Sequence, residues 1–200
     1  EIIGLDLSEE MIRFARKAHL KKNCENNLSS VTWLVGDGES LPFKTGSVDL
    51  IYSSLAIQWC GSLNTLFSEI RRVLSKNGVF VFSTLVDGSL SELKLAWQQV
   101  DTKQHVNAFA FFEDYEEVLA GLTFASVDLQ LKTKTLYYQK VKDLTKELKT
   151  LGAHNMTSRR ATHLTGKQKI KQFLAAYERF RLPDGTLPAS YQVVYGVLKK

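Results

Sequence analysis

The period of the apolar positions changes several times along the chain, and each change predicts an element. Ile2 to Leu7 is a short apolar run interrupted at Asp6, which reads as a strand. Ser8 then offers a helix N-cap, and Glu9 and Glu10 suit the positive end of a helix dipole. Met11, Phe14, Ala15 and Ala18 share one helical face, Lys21 and Lys22 fit the last turn, and Asn23 to Ser30 reads as a polar connection. Val31 to Val35 predicts a second strand, closed by Gly36-Asp37-Gly38, and Val48 to Ser53 a third. Leu63 to Leu74 predicts a helix with Phe67, Ile70 and Leu74 inward, ended by Asn77-Gly78, with Val79 to Leu85 as a fourth strand. Strands alternating with helices predict an α/β fold built on a parallel sheet.

Beyond Leu85 the pattern loosens. Leu90 to Val100 predicts a helix with Leu93, Ala96, Trp97 and Val100 on one side, His105 to Phe112 a loop, and Tyr115 to Gly121 a short helix. Phe124 to Tyr138 alternates in its first half, so it reads as a strand. Helices are predicted over Lys140 to Leu151 and Gly166 to Arg181, a turn at Pro183 and Gly185, and a last strand over Tyr191 to Leu198.

Composition narrows the class. Two hundred residues, 44% of them apolar, suit a single domain with a sizeable core. No run of eighteen apolar residues is present, and the first residues lack the basic start and apolar stretch of a signal peptide. Cys24 and Cys60 form neither a disulfide framework nor a metal-ligand spacing, so a reducing cytoplasm and no metal site are expected. The net charge of +5 hides an asymmetry: residues 1–130 carry 11 Lys and Arg against 17 Asp and Glu, whereas residues 131–200 carry 15 against 4. Such a basic C-terminal third suits an acidic partner or an anionic substrate, or simply a solvated helical surface.

Four short segments carry candidate chemistry. Gly4-Leu5-Asp6-Leu7-Ser8 places a carboxylate at the end of a strand, where it can accept both hydroxyls of a ribose. Gly36-Asp37-Gly38-Glu39-Ser40-Leu41-Pro42-Phe43 follows thirty-one residues after Asp6; its Asp can accept from an adenine amino group, and its glycines let backbone approach a ring. Ser47 to Leu55 is a strand ending in small residues, and Arg71-Arg72-Val73-Leu74 ends a helix before Asn77-Gly78 and a further strand. Each alone also fits an ordinary turn or surface carboxylate. A nicotinamide dehydrogenase would use the first segment but does not call for the second.

In order and spacing together, residues 1–85 resemble the class I S-adenosylmethionine-dependent methyltransferases. The resemblance implies a Rossmann-like sheet, Asp6 on the ribose, Leu7 and Gly38 against adenine, Asp37 on its amino group, and Ser54 and Leu55 beside the methionine portion. In that family a glycine-rich loop follows the strand preceding the one at Ile2. The sheet is therefore expected to lack its first strand and that loop, and to carry a helical insertion before the last strand.

The distal half is similar to the malonyl-acyl-carrier-protein O-methyltransferases of biotin synthesis. The matching segments include Leu55-Ala56-Ile57-Gln58-Trp59-Cys60, Gly88 to Leu93, Ala96-Trp97-Gln98, His105-Val106-Asn107-Ala108-Phe109, Leu148 to Ala153, Arg160, and Leu187-Pro188-Ala189-Ser190-Tyr191. The resemblance implies one methyltransferase domain over residues 1–200, with a cofactor-binding part at 1–85, a substrate-side segment at 86–123 and the insertion at 139–188. It implies S-adenosyl-L-methionine as cofactor, Gln58, Trp59, His105, Asn107 and Arg160 as substrate contacts, and malonyl-loaded acyl carrier protein as the partner of the basic C-terminal third, with no nucleic acid or membrane. Read from the residues alone, Trp59 and Trp97 fit a core equally well, and His105 a loop histidine with its bonds satisfied. A malonyl carboxylate is already ionised at neutral pH, so no acid or base residue is required. Two other readings stay open: a methyltransferase acting on another small molecule such as a quinone precursor, and a non-catalytic fragment.

Overall fold

The computed structural model describes residues 1–26, 31–150 and 166–200. In chain order the elements are β1 (Ile2–Asp6), α1 (Glu9–Asn26), β2 (Val31–Val35), β3 (Val48–Ser54), α2 (Leu63–Val73), β4 (Leu74–Leu85), α3 (Ser91–Gln98), α4 (Phe112–Ala120), β5 (Ser126–Tyr138), α5 (Val141–Thr150), α6 (Lys167–Tyr177) and β6 (Leu187–Lys199), with 3-10 turns at Ile57–Trp59 and Glu178–Phe180. Local chemistry sets several of the ends. The Ser8 hydroxyl accepts from Met11 N at 3.3 Å and the Ser62 hydroxyl from Thr65 N at 3.2 Å, each satisfying an orphan donor of a first helical turn. Among the described residues no helix is long and apolar enough to cross a membrane.

The strands fall into two sheets. β1 and β2 pair in parallel, from Ile2 against Val31 to Asp6 against Val35. The other four run in the order β3-β4-β6-β5. Just before β3, Gly46 N and Ser47 N donate to Arg72 O and Val73 O, tying the approach to β3 to the end of α2. β4 is antiparallel to β6: Lys200 N donates to Gly78 O, and Val86 N to Gln192 O. β5 is also antiparallel to β6, with Ala125 N on Lys199 O and Thr133 Oγ1 on the Gln192 side chain. The alternation read over Phe124 to Tyr138 thus becomes a strand antiparallel to the last one.

The chain forms two compact units: residues 1–82, 115–128 and 196–200, and residues 83–114 and 129–195. The first is built on aromatics. Phe67, Phe80, Phe82 and Tyr115 are each at most 2% exposed, with Phe80 stacked on Phe82 at 5.0 Å. The second packs Leu93 and Ala96 of α3, Val141 and Leu144 of α5, Phe173 and Tyr177 of α6, and Leu187 and Ala189 of β6 around one core. α5 and α6 lie between β5 and β6 in the chain, where helices were expected.

Expectations for three elements change. α1 continues through Lys21 and Lys22 to Asn26, because no Gly or Pro interrupts it. Its inward residue is Ile12, with Ala15 and His19 half-buried, whereas Met11, Phe14 and Ala18 are exposed. Ile12, Ala15 and His19 form an equally periodic face, and His19 meets Trp33 edge-on at 5.9 Å. β4 starts at Leu74, so Asn77-Gly78 lies inside a strand rather than at a helix end. A Cβ on Gly78 would stand 2.9 Å from Val48 O, so this glycine serves close approach of two backbones. β6 starts at Leu187, four residues before the predicted strand, with Pro188 tolerated near its beginning.

Candidate functional site

In the first unit, the carboxyl ends of β1 and β2 bring two aspartates side by side. Gly36 N donates to Asp6 O at 3.0 Å, so the chain leaving β2 is tied to the chain leaving β1. One oxygen of Asp6 accepts from Ser8 N at 2.8 Å, and one oxygen of Asp37 accepts from Glu39 N at 2.9 Å. These short turns fix the direction of both carboxylates. Leu7, between Asp6 and the α1 N-cap, is 72% exposed. Gly38 sits close to α2, where a Cβ would stand 3.3 Å from Leu66 Cδ1.

The end of β3 lies in the same unit. Ser54 and Leu55 are exposed, and Leu55 has a φ of 52°, a left-handed conformation that costs a branched residue on the order of 1–3 kcal/mol. Gln58 Nε2 donates to Leu55 O at 2.6 Å, while Ile57, 3% exposed, anchors the turn between them. Trp59 is exposed. Glu39, from the β2 turn, accepts from Gly61 N and so joins the loops that follow β2 and β3. Burial, with Glu39 and Asp37 nearby, pushes the Cys60 thiol up to about 11.

A fork from α2 holds the Leu41–Thr45 segment. Arg72 donates to Leu41 O at 2.9 Å, to Phe43 O at 2.8 Å and to both oxygens of Glu69 at 2.7 and 2.8 Å, and Glu69 accepts from Leu41 N at 2.8 Å. The Arg72 bond holds the Glu69 carboxyl below its ordinary range, against partial desolvation.

The second unit contains a cavity of about 390 Å³, lined by Asp87, Lys94, Trp97, Asp101, His105 and Asn107 among others. His105 stacks on Trp97 with centroids 3.8 Å apart, and its Nε2 lies 2.7 Å from Asp101 Oδ1. A concavity of about 500 Å³ in the first unit holds none of the predicted site residues; its Arg71 and Lys200 are engaged with backbone carbonyls of Thr123, Arg72 and Leu74.

The structure thus gathers Asp6, Leu7, Asp37 and Gly38 at adjacent strand ends of the first unit, which also holds Ser54, Leu55, Gln58 and Trp59. His105 and Asn107 line the cavity of the second unit. Arg160 lies outside the described residues. Sequence reasoning missed Asp101, whose one signal is its spacing four residues before His105, and the Glu69 half of the Arg72 fork. Lys169, one of the cations of the basic C-terminal third, places its Nζ 2.7 Å from Asp101 Oδ2.

Residues 1–82 match the family described as "Methyltransferase domain". The chain is 44% identical to the biotin biosynthesis bifunctional protein BioHC of Cellvibrio japonicus, a match covering 100% of the chain and 38% of that protein. It is 37% identical to the malonyl-[acyl-carrier protein] O-methyltransferase of Methylococcus capsulatus, covering 100% of the chain and 70% of that protein. Among solved structures, the candidate methyltransferase BH2331 of Bacillus halodurans superposes with a TM-score of 0.65 at 17% identity, over 99% of this chain and 82% of its own. The chain spans less than two fifths of the BioHC relative's length. Its fold is that of the class I methyltransferases, and the chain belongs to the malonyl-[acyl-carrier protein] O-methyltransferase family.

Proposed function

We propose that the protein transfers a methyl group from S-adenosyl-L-methionine to the free carboxylate of a malonyl thioester, giving the methyl ester that starts pimeloyl and biotin synthesis in the cytoplasm. The observation that carries this reading is the pairing of Asp6 and Asp37 at adjacent parallel strand ends, flanked by exposed Leu7. Each carboxylate has one oxygen engaged with backbone, and its other oxygen is suited to a ligand donor: ribose hydroxyls at Asp6, the adenine amino group at Asp37. Leu7, Leu55 and Gly38 suit the faces and edge of the purine and the chain beyond it. These acceptors therefore fit the adenosine end of the cofactor, which when bound supplies an electrophilic methyl group on a sulfonium.

The residues' own work is alignment and exclusion of water, because the accepting carboxylate arrives ionised. Gln58 and Trp59 of the first unit, His105 and Asn107 of the second, and Arg160, which lies outside the described residues, are our candidates for contact with the acyl thioester. For the carrier protein, we assign the exposed lysines of β5 and α5, among them Lys132, Lys134, Lys142 and Lys149, to steering. An acidic carrier would be drawn to them without a close contact at each.

The test is methyl transfer from labelled S-adenosylmethionine by the full-length protein. Label should appear in a base-labile ester on malonyl-acyl carrier protein. Reversing Lys132, Lys134, Lys142 and Lys149 to Glu should lower the rate with malonyl-carrier protein most at low salt, since exposed charges are screened beyond about 8–10 Å near physiological ionic strength. The rate with malonyl-pantetheine should hold. No label in the thioester would end the proposal; equal losses with both substrates would end the steering assignment.

A further inference from the structure

Asp101 holds more of the second unit together than any residue singled out by pattern. It lies just beyond α3, with its N donating to Trp97 O at 3.1 Å. Its Oδ1 faces His105 Nε2 at 2.7 Å and accepts from Lys103 N at 3.1 Å; its Oδ2 accepts from Lys169 Nζ at 2.7 Å. One carboxylate thus joins the end of α3, the loop that lines the cavity, and α6. Its side chain is 13% exposed, as is that of His105. The Lys169 ammonium holds it well below the usual carboxylate range against the cost of burial, and the His105 contact adds to this.

His105 is constrained in two ways. Trp97 is sandwiched between His105 and Phe173, with centroids 3.8 and 4.3 Å apart and planes within 9° and 11° of parallel. Stacking fixes the plane of the imidazole but not its rotation within that plane, since a ring turned over presents a similar face. The bond to Asp101 is what distinguishes the two ring edges: an ionised carboxylate can only accept, so Nε2 must carry the proton facing it.

We propose that Asp101 is a positioning residue for ligand recognition in this cavity, locking the His105 ring through Nε2 so that its Nδ1 edge and the adjoining Trp97 form a fixed wall for the malonyl thioester. The inference rests on the reading of this cavity as part of the acyl-thioester site. A second role is visible in the same carboxylate, the tie to α6 through Lys169, and the test must separate the two. Asp101→Ala removes both bonds, whereas Lys169→Met removes only the tie to α6.

The experiment uses the full-length protein with S-adenosylhomocysteine present, labelled with ¹⁵N at histidine and titrated with malonyl-pantetheine. In the wild type the His105 resonances should report a protonated Nε2 and shift on titration. Asp101→Ala should give a tautomer mixture and weaken malonyl-pantetheine by about tenfold, the scale of one hydrogen bond to a charged group. Its affinity for S-adenosylhomocysteine should stay within about twofold, the change expected where no contact to that ligand is lost. Lys169→Met should lower the melting temperature yet keep the wild-type tautomer and thioester affinity. The proposal is overturned if malonyl-pantetheine leaves the wild-type His105 resonances unmoved, if Asp101→Ala changes neither tautomer nor affinity, or if Lys169→Met matches Asp101→Ala in every readout. Binding at His105 with the expected variant pattern, but no methyl transfer, supports the role of Asp101 while defeating the proposed reaction.

Discussion

Glu92 makes the sharpest stability prediction. It sits in the first turn of α3, 9% exposed, against a core that includes Leu93, Tyr177 and Ala189. Its carboxylate accepts from Ser190 N at 3.0 Å and from the Ser190 hydroxyl at 2.6 Å, pinning α3 to β6. Glu92→Ala deletes these two bonds, each about 1.5–3 kcal/mol for a charged acceptor, together with a longer one from the Ser91 hydroxyl at 3.4 Å, and leaves the Ser190 N–H without its partner. Against this stands relief of a buried carboxylate's desolvation, which offsets a substantial part of that loss. The balance is a net loss of about 2–3 kcal/mol, or roughly 4–12 °C in melting temperature for a chain of this size. Ser190→Ala deletes the hydroxyl bond to Glu92 and the 3.4 Å contact with the Thr135 hydroxyl, and should cost about 1–2 kcal/mol. Because both substitutions remove one shared interaction, the double variant should fall short of the sum by about 1 kcal/mol or more. Urea unfolding supplies the energies, and hydrogen exchange at the Ser190 amide supplies the local check, with faster exchange in Glu92→Ala. A Glu92→Ala protein within about 0.5 kcal/mol of wild type, or strictly additive single effects, would refute the pinning argument.

The other predictions concern the rim of the first unit. Asp6→Ala and Asp37→Ala should each weaken S-adenosylhomocysteine by about ten- to a hundredfold by calorimetry, the loss of a charged acceptor; unchanged affinity in both would remove the cofactor assignment. Cys60 should stay a thiol well into the alkaline range, so its alkylation rate in the folded protein should still be rising at pH 10, with a midpoint near 11. Its folded value lies above its unfolded one. The associated stability is therefore full below about pH 8.5, the free-thiol value, and is lost as pH rises through about 11. A rate that levels off by pH 9 would contradict the half-buried, anion-flanked placement of this side chain.

The elements legible in the sequence were those whose signal is local. β2 coincides with its predicted run, and the alternation of Val127, Leu129 and Leu131 marked β5, because a period of two needs only neighbours. Asp6 and Asp37 were legible because turn chemistry brings each to a strand end within a few residues of its own glycines. Long-range contacts were not. Which face of α1 turns inward depends on Trp33, a residue of another element. Asn77-Gly78 reads as a terminator until Val48 O is found against Gly78. Asp101 meets Lys169 across 68 positions of sequence, and nothing near either residue announces the other.

β3 is the edge strand of its sheet, and Leu50 and Tyr52 on it are 63% and 73% exposed. Among the described residues its outer backbone ladder has no partner strand. Val48-Asp49-Leu50-Ile51-Tyr52 is rich in strand-forming side chains, and its only charge, Asp49, is bonded to the Ser75 hydroxyl at 2.8 Å. Such an edge templates strand addition from any extended chain that reaches it. A Leu50→Lys or Tyr52→Lys substitution should accordingly make this edge a poorer template, because a charged side chain there disfavours the addition of a strand.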